Sequence, residues 1–357
     1  MSTSFHPLTI LDVRQETDDA ISVTLEPAPE LSSDFSFRPG QHLTFRADID
    51  GEDVRRNYSI CVPPGGPLKV GIKRIVGGRF STWATRSLKP GGTLDAMTPR
   101  GHFTWTFEAG EARTYLCFAG GSGITPILSL IETGLATEAN SRFTLLYGNR
   151  TSSSIMFLEE LASLKDRFMD RLQVYHFLDA EADDVDLFNG RLDEQRIARV
   201  LSSLVDPKGI DVAFICGPGA MMDNAERAML DAGMPQQQVL VERFTADRPA
   251  AADEEIDRSV AALAEGLGMQ ITIDGRRRLV PFHAETGSIL ESAQQAGLPA
   301  PFACKAGVCA TCRARLVAGE VRMKVNYGLS AEEVAQGYVL TCQSVPLGEG
   351  VALDYDA

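Results

Sequence analysis

Pro301-Phe-Ala-Cys304-Lys-Ala-Gly307-Val-Cys309-Ala-Thr-Cys312, answered by Cys342 in Tyr338-Val-Leu-Thr-Cys342-Gln, decides how this chain is read. Three thiols share one short loop at C-x4-C-x2-C spacing, and a fourth follows about thirty residues later, the ligand set of a plant-type 2Fe–2S centre. Ala306, Gly307, Ala310 and Thr311 are small enough for the backbone to wrap closely and aim amide N–H groups at charged sulfur. Zinc, a disulfide and plain buried cysteines are the rival readings. Structural zinc usually shows two close pairs, whereas here three ligands crowd one loop. A 2Fe–2S centre moves one electron at a time, so the rest of the chain should show where electrons enter and leave.

Working outward, residues 266–357 surround this loop with further signals. Asp274-Gly275 sits between Gln270-Ile-Thr-Ile and Arg278-Leu-Val-Pro-Phe282, which predicts a hairpin. Ser288–Glu291 and Ser330–Glu333 read as capping boxes, and Gly297 as the stop of the first helix. Hairpin, helix and cysteine loop describe a β-grasp ferredoxin domain. Residues 246–265, rich in Ala and acidic residues, read as a linker with a short helix.

Upstream, residues 111–245 alternate apolar strands (Thr114–Phe118, Phe143–Tyr147, Leu172–Phe177, Val212–Cys216) with helical patterns. Strands apolar on both faces alternating with helices predict a doubly wound parallel α/β sheet. Its first strand-to-helix turn is Ala119-Gly120-Gly121-Ser122-Gly123-Ile124-Thr125-Pro126, and Cys216-Gly217-Pro218-Gly219 leaves another strand end. Such turns let backbone approach a pyrophosphate.

Residues 1–110 show short alternating strands punctuated by Gly and Pro turns, which predicts a small β-barrel. Within it, Arg55-Arg56-Asn57-Tyr58-Ser59-Ile60 puts Arg56 and Tyr58 on one strand face. Gly77-Gly78-Arg79-Phe80-Ser81 opens a helix whose free N–H groups suit a phosphate. Each is weak alone; together they describe a flavin nucleotide site.

The 357 residues carry a net charge of −14. That excludes nucleic acid as the expected partner. No apolar run approaches a membrane span, and Cys61, Cys117 and Cys216 are isolated in apolar contexts, so a reducing cytoplasm is expected. Residues 266–357 hold eight Lys/Arg against nine Asp/Glu, leaving −13 upstream. Lys305, Arg313 and Arg315 beside the ligands suggest a basic rim that steers the cluster domain.

With these motifs, Arg-Pro-Gly-Gln-His-Leu, Tyr-Gly-Asn-Arg-Thr, Cys-Gly-Pro-x-x-Met-Met and Glu-Arg-Phe, nearly the whole chain resembles the ferredoxin–NADP⁺ reductase superfamily with a C-terminal plant-type ferredoxin domain. The resemblance implies FAD, with FMN the alternative. Arg56 would pair with its pyrophosphate beside Asn57, Tyr58 would pack on the isoalloxazine, and Ser59 would bond near N5. Residues Gly77 to Ser81 would hold the pyrophosphate. Gly121, Gly123 and Thr125 would take the nicotinamide nucleotide's phosphates, with Gly217 and Pro218 alongside. Cys216 would approach the nicotinamide, and Glu242 and Phe244 would lie by the flavin. Arg150 would face a 2′-phosphate, favouring NADPH over NADH. The implied activity is electron transfer from NADPH through FAD and the cluster (Cys304, Cys309, Cys312, Cys342) to a separate oxygenase component, with a di-iron epoxidase the expected acceptor. A reductase for an aromatic-ring dioxygenase or haem monooxygenase, and an iron–sulfur redox sensor, are the alternatives.

Overall fold

The computed structural model describes residues 4–182, 184–244 and 251–357, excluding the side chains of 251–254 and 256. The chain divides into two compact units, Ser2–Arg243 and Phe244–Ala357.

The first unit opens with β1 (His6–Thr17), β2 (Ala20–Glu26), β3 (His42–Ile49), β4 (Glu52–Ser59), β5 (Leu68–Lys73), helix α1 (Arg79–Ser87) and β6 (Thr93–Ala96). The strands pair antiparallel in the order β4-β3-β6-β1-β2-β5, and an Ile60–Val70 bridge joins the two edges into a barrel. Closure removes exposed edges. Asp50 and Gly51 both take positive φ in the two-residue turn from β3 to β4, the geometry that Asp-Gly supplies cheaply. Leu8, Val23, Leu43, Phe45 and Phe80 fill the interior.

An α/β layer follows: β7 (Thr114–Gly120), α2 (Ile124–Thr137), β8 (Arg142–Asn149), α3 (Leu158–Arg167), β9 (Leu172–Leu178), α4 (Glu194–Ser203), β10 (Val212–Cys216), α5 (Gly219–Asp231) and β11 (Val239–Glu242). The five strands are parallel, in the order β11-β10-β7-β8-β9. Tyr115, Cys117, Phe143 and Tyr147 join one apolar core, while Leu116, Phe118, Leu146 and Phe177 join the other. Burial of both faces is why these strands read as unbroken apolar runs. Strand order reverses between β7 and β10, so ligands are expected at the carboxyl ends of those two strands. Away from that edge, fully buried Glu138 accepts from Tyr115 Oη (2.8 Å), Ser141 Oγ (2.6 Å) and the Glu108 amide (3.1 Å).

The second unit contains α6 (Ala251–Leu263), β12 (Gly268–Ile273), β13 (Arg276–Pro281), α7 (Ile289–Gln295), β14 (Arg313–Ala318), β15 (Val321–Met323), α8 (Ala331–Ala335), β16 (Tyr338–Leu340), β17 (Ser344–Pro346) and β18 (Ala352–Asp354). The main sheet runs β13-β12-β18-β14-β16, and α7 covers it. Asp274 and Gly275 make the expected turn, their amides held by the Asp356 carboxylate at 2.9 and 2.7 Å. Both capping serines accept from the amide three residues on. Helix α6 falls within the stretch expected as linker. Its Val260 and Ala261, with Ala264 just beyond, pack into the ferredoxin core, and Asp257 pairs with Arg322 at 3.2 Å. Among the described residues, no helix is long and apolar enough to cross a membrane.

Candidate functional site

The cysteine loop follows α7 and ends at β14, while Cys342 lies in a turn just after β16. Lys305, Gly307 and Ala310 take positive φ, so the loop coils tightly around the sulfurs. A Cβ on Gly307 would lie 3.0 Å from Val325 O, and one on Gly328 only 2.9 Å from the Ala310 amide. Backbone N–H groups of Cys304 and Ala306 point at sulfur, at 3.5 Å to Cys309 and 3.3 Å to Cys304. Gln343 Nε2 lies 3.7 Å from Cys342 Sγ.

The thiols fall into two proton-sharing pairs. A hydrogen bond with Cys304 holds the Cys309 thiol below the ordinary range and pushes that of Cys304 up. Likewise, a bond with Cys312 lowers that of Cys342 and raises that of Cys312. Among the described residues, no three Cys, His, Asp or Glu side chains converge on one ion position. Two pairs fit two irons, each taking two thiolates, better than a mononuclear zinc site. The buried Thr311 hydroxyl lies beside these sulfurs and acts on Cys309, a further donor for the group they would hold.

The expected basic rim is largely spent within its own unit. Lys305 pairs with Glu291 at 3.4 Å and lies over the Phe302 ring. Arg313 donates to Glu333 and stacks on Tyr338, 4.7 Å from the ring centroid. Arg315 is exposed.

In the barrel, Tyr58 packs against Phe80 (5.7 Å between centroids) and Phe45. Opposed across β3 and β4, Phe45 pairs with Arg56 and Leu43 with Tyr58, so Arg56 and Tyr58 share a face. Arg56 is exposed, and Asn57 Oδ1 accepts from Thr44 Oγ1 at 2.9 Å. Gly78 caps α1, and a Cβ there would meet Ser81 Oγ at 2.6 Å and Ile75 O at 3.0 Å. Ser81 Oγ in turn accepts the Ile75 amide at 3.1 Å, holding the Gly77 turn against the helix start, Phe80 being buried behind it. Arg79 turns away to Glu52 and Ile49 O. Ser59 Oγ is buried without a partner. A glycine-lined helix start and an orphaned hydroxyl fit a nucleotide-bearing flavin, which supplies hydride acceptance and single-electron release when bound.

A second polar set lies where the barrel meets the α/β layer. Glu242 ends β11 opposite Cys216 of β10. Glu242 Oε1 is 3.8 Å from Nδ1 of His42 on β3. Burial raises the Glu242 pKa to about 8 and lowers that of His42 to about 4, the latter helped by Arg100 and His102. Cys216 is fully buried and pushed far above the ordinary thiol range, first by burial and then by Glu242. It is no nucleophile at neutral pH. His42 was not anticipated from the sequence. Phe244, 39% exposed, begins the second unit.

At the switch point, the two glycine loops pack on one another. A Cβ on Gly120 would lie 2.4 Å from Pro218 Cδ, and one on Gly123 only 2.1 Å from Cys216 O. A Cβ on Gly217 would meet the Gly120 amide at 2.9 Å. Gly121, with φ of 52°, faces open space, and Thr125 Oγ1 donates to Ser122 O at 3.0 Å. One strand over, Arg150 is exposed after β8. Next to it Ser152 donates its amide (2.9 Å) and hydroxyl (3.3 Å) to Glu181. The acid was not anticipated either.

Profiles of three domains match the chain: the oxidoreductase FAD-binding domain over residues 12–105, the oxidoreductase NAD-binding domain over 118–227, and the 2Fe–2S iron-sulfur cluster binding domain over 271–347. A component of 1,2-phenylacetyl-CoA epoxidase from Escherichia coli (strain K12) is 45% identical over 99% of both chains. The chain belongs to the ferredoxin–NADP⁺ reductase superfamily, in the branch with a C-terminal 2Fe–2S ferredoxin domain. Within that branch, the ferredoxin reductase component of 3-ketosteroid-9-alpha-monooxygenase from Mycobacterium tuberculosis (strain CDC 1551 / Oshkosh) is 34% identical, covering 98% of this chain and 95% of its own. The fold is that of phthalate dioxygenase reductase, at TM-score 0.59 and 24% identity over 98% of each chain. Members of this superfamily are oxidoreductases, and this chain carries the flavin, pyridine-nucleotide and cluster-binding domains that the sequence predicted.

Proposed function

We propose that this chain is the reductase component of a phenylacetyl-CoA epoxidase, carrying electrons from NADPH through FAD and a 2Fe–2S cluster to a di-iron oxygenase component. The observation that carries this reading is the 45% identity, end to end, to the epoxidase component of Escherichia coli.

In this reading Cys304 and Cys309 hold one iron, and Cys312 and Cys342 the other. Arg56 and the amides of Gly78 to Ser81 bind the flavin pyrophosphate, Tyr58 flanks the ring, and Ser59 donates to it. Gly121, Gly123 and Thr125 bind the nicotinamide nucleotide's phosphates, with Gly217 and Pro218 closing the same edge. Cys216 acts as a small apolar wall for the nicotinamide. Arg150 favours NADPH by pairing with a 2′-phosphate, against the opposing charge of Glu181.

Reconstitution tests it. The purified chain, loaded with flavin and cluster, is combined with the oxygenase component of a phenylacetyl-CoA epoxidase. NADPH-dependent epoxidation of phenylacetyl-CoA is expected. Rapid NADPH oxidation by the chain with no electron delivery to that oxygenase would instead assign it to another oxygenase.

A further inference from the structure

Gln343 follows the fourth cysteine and folds back over the loop that carries the other three. Its Nε2 donates to Lys305 O at 3.0 Å and lies 3.7 Å from Cys342 Sγ. A carboxamide NH₂ has two hydrogens, and a carbonyl can only accept, so Lys305 O fixes which end of the group faces the loop. One N–H is thereby committed to Lys305, and the second is left for sulfur. The stem is fitted as closely. A Cβ on Gly307 would lie 3.0 Å from Gln343 Cγ, so the side chain rests where a larger residue would crowd it. Behind it the backbone is pinned. Gln343 O accepts the Lys324 amide at 2.8 Å, and the fully buried Ser344 donates its hydroxyl to Leu340 O at 2.8 Å. Lys305 and Gly307 both take positive φ, so the carboxamide grips the loop where it coils. A glutamine on an ordinary surface would offer these donors to water.

We propose that Gln343 is a positioning residue for electron transfer, its carboxamide clamping the cysteine loop to the Cys342 limb and holding up the reduction potential of the cluster. The inference rests on the assignment of Cys304, Cys309, Cys312 and Cys342 to a 2Fe–2S cluster, whatever protein accepts the electrons. The two ends of the clamp come from separate parts of the ligand set. Lys305 lies on the loop between Cys304 and Cys309, whereas Cys342 arrives about thirty residues after Cys312. Each electron passed on from the flavin adds one negative charge, and no proton, to what the four thiolates hold. A donor aimed at a thiolate sulfur is worth more after that charge arrives than before, so it favours the reduced form. Gln343 therefore acts twice through one nitrogen. It keeps the loop closed around the sulfurs, and it makes the step from flavin to cluster more favourable.

The test uses the full chain with flavin and cluster, poised anaerobically with mediator dyes at the midpoint potential of its unaltered cluster. The reduced cluster is counted by its electron paramagnetic resonance. In Gln343→Met, which keeps the length of the side chain and removes both donors, the reduced-to-oxidised ratio at that potential should fall roughly two- to tenfold, the reach of one hydrogen bond. In Gln343→Glu, which keeps the shape and turns oxygen toward Lys305 O and the sulfur, it should fall further. Both variants should lose iron to a chelator faster than the unaltered protein. Faster iron loss with an unchanged ratio would reduce Gln343 to a structural clamp and overturn the proposal, as would an unchanged ratio with unchanged iron loss. Where neither variant retains a cluster, the unaltered protein decides. With ¹⁵N confined to glutamine side chains, electron spin-echo modulation of its reduced cluster should carry a ¹⁵N coupling, and the absence of that coupling overturns the contact. No 2Fe–2S signal from the reconstituted, unaltered protein would instead sink the cluster assignment. None of these readouts involves an oxygenase, so none depends on the choice of acceptor.

Discussion

Arg313 and Glu333 bind β14 to the helix that precedes Cys342. Arg313 donates to the same glutamate that completes the Ser330 capping box, and its guanidinium lies over the Tyr338 ring of β16. A cation committed in this way is a structural tie first and a steering charge second. Arg313→Glu should place two carboxylates together and destabilise the fold by about 1 kcal/mol, read as a lower Tm with faster loss of cluster absorbance on warming. Arg315, exposed, is the position that reads steering. Arg315→Glu should change the salt dependence of electron delivery and leave Tm unmoved. The opposite assignment of the two effects would restore the basic rim.

Cluster and flavin should be separable by mutation. The ferredoxin core is built from residues of Phe244–Ala357, and the barrel core from residues of Ser2–Arg243. Cys309→Ser should abolish or cripple the cluster while NADPH still reduces the flavin. Iron and flavin counts with stopped-flow traces check it, and loss of flavin from the variant would contradict it.

Coenzyme choice should respond in opposite directions to two neighbours. Arg150→Ala should raise KM for NADPH far more than for NADH. A charge-assisted bond of ~1.5–3 kcal/mol corresponds to a ~10–100-fold change. Glu181→Gln removes a carboxylate from the Ser152 turn and should lower KM for NADPH, with little effect on NADH. Equal responses to both coenzymes would remove Arg150 and Glu181 from selection.

Stability should carry the mark of Glu242. Its pKa is raised from 4.5 to about 8 in the folded protein. The folded state therefore binds more protons than the unfolded one between those values, and stability falls as pH rises through them. His42 has the opposite sense of shift, from 6.5 down to about 4, so it removes stability as pH falls through that window. Thermal melts from pH 4 to 9 should show Glu242→Gln flattening the alkaline decline and His42→Gln flattening the acidic one.

The parts of this molecule legible in its sequence are those where local chemistry admits few solutions. Four cysteines at fixed spacing, Asp-Gly turns at residues 50–51 and 274–275, and two capping boxes each specify a backbone shape within a few residues. Continuous apolar runs likewise announced a sheet covered on both faces. The rest depends on groups that meet only after folding. His42 sits in an ordinary alternating strand, and nothing near it in sequence signals Glu242. Glu138 has the look of a solvent-facing acid at a helix end, yet it is wholly buried among donors from three separate segments. Glu181 lies in an acid-rich stretch where one carboxylate cannot be told from its neighbours. Helix α6 was masked by composition, because alanines and acids suit a tether as well as a helix that packs Val260 and Ala261 into a core.

That helix also sets where the electron-carrying module may be cut from its parent and grafted onto another. An excision that began at Gly266, where the expected linker ends, would strip Val260, Ala261 and Ala264 from the core and leave Arg322 without Asp257. One that began at Ala251 would take the helix along as part of the cargo. Recombination between reductases should therefore tolerate junctions ahead of α6 and fail at junctions behind it.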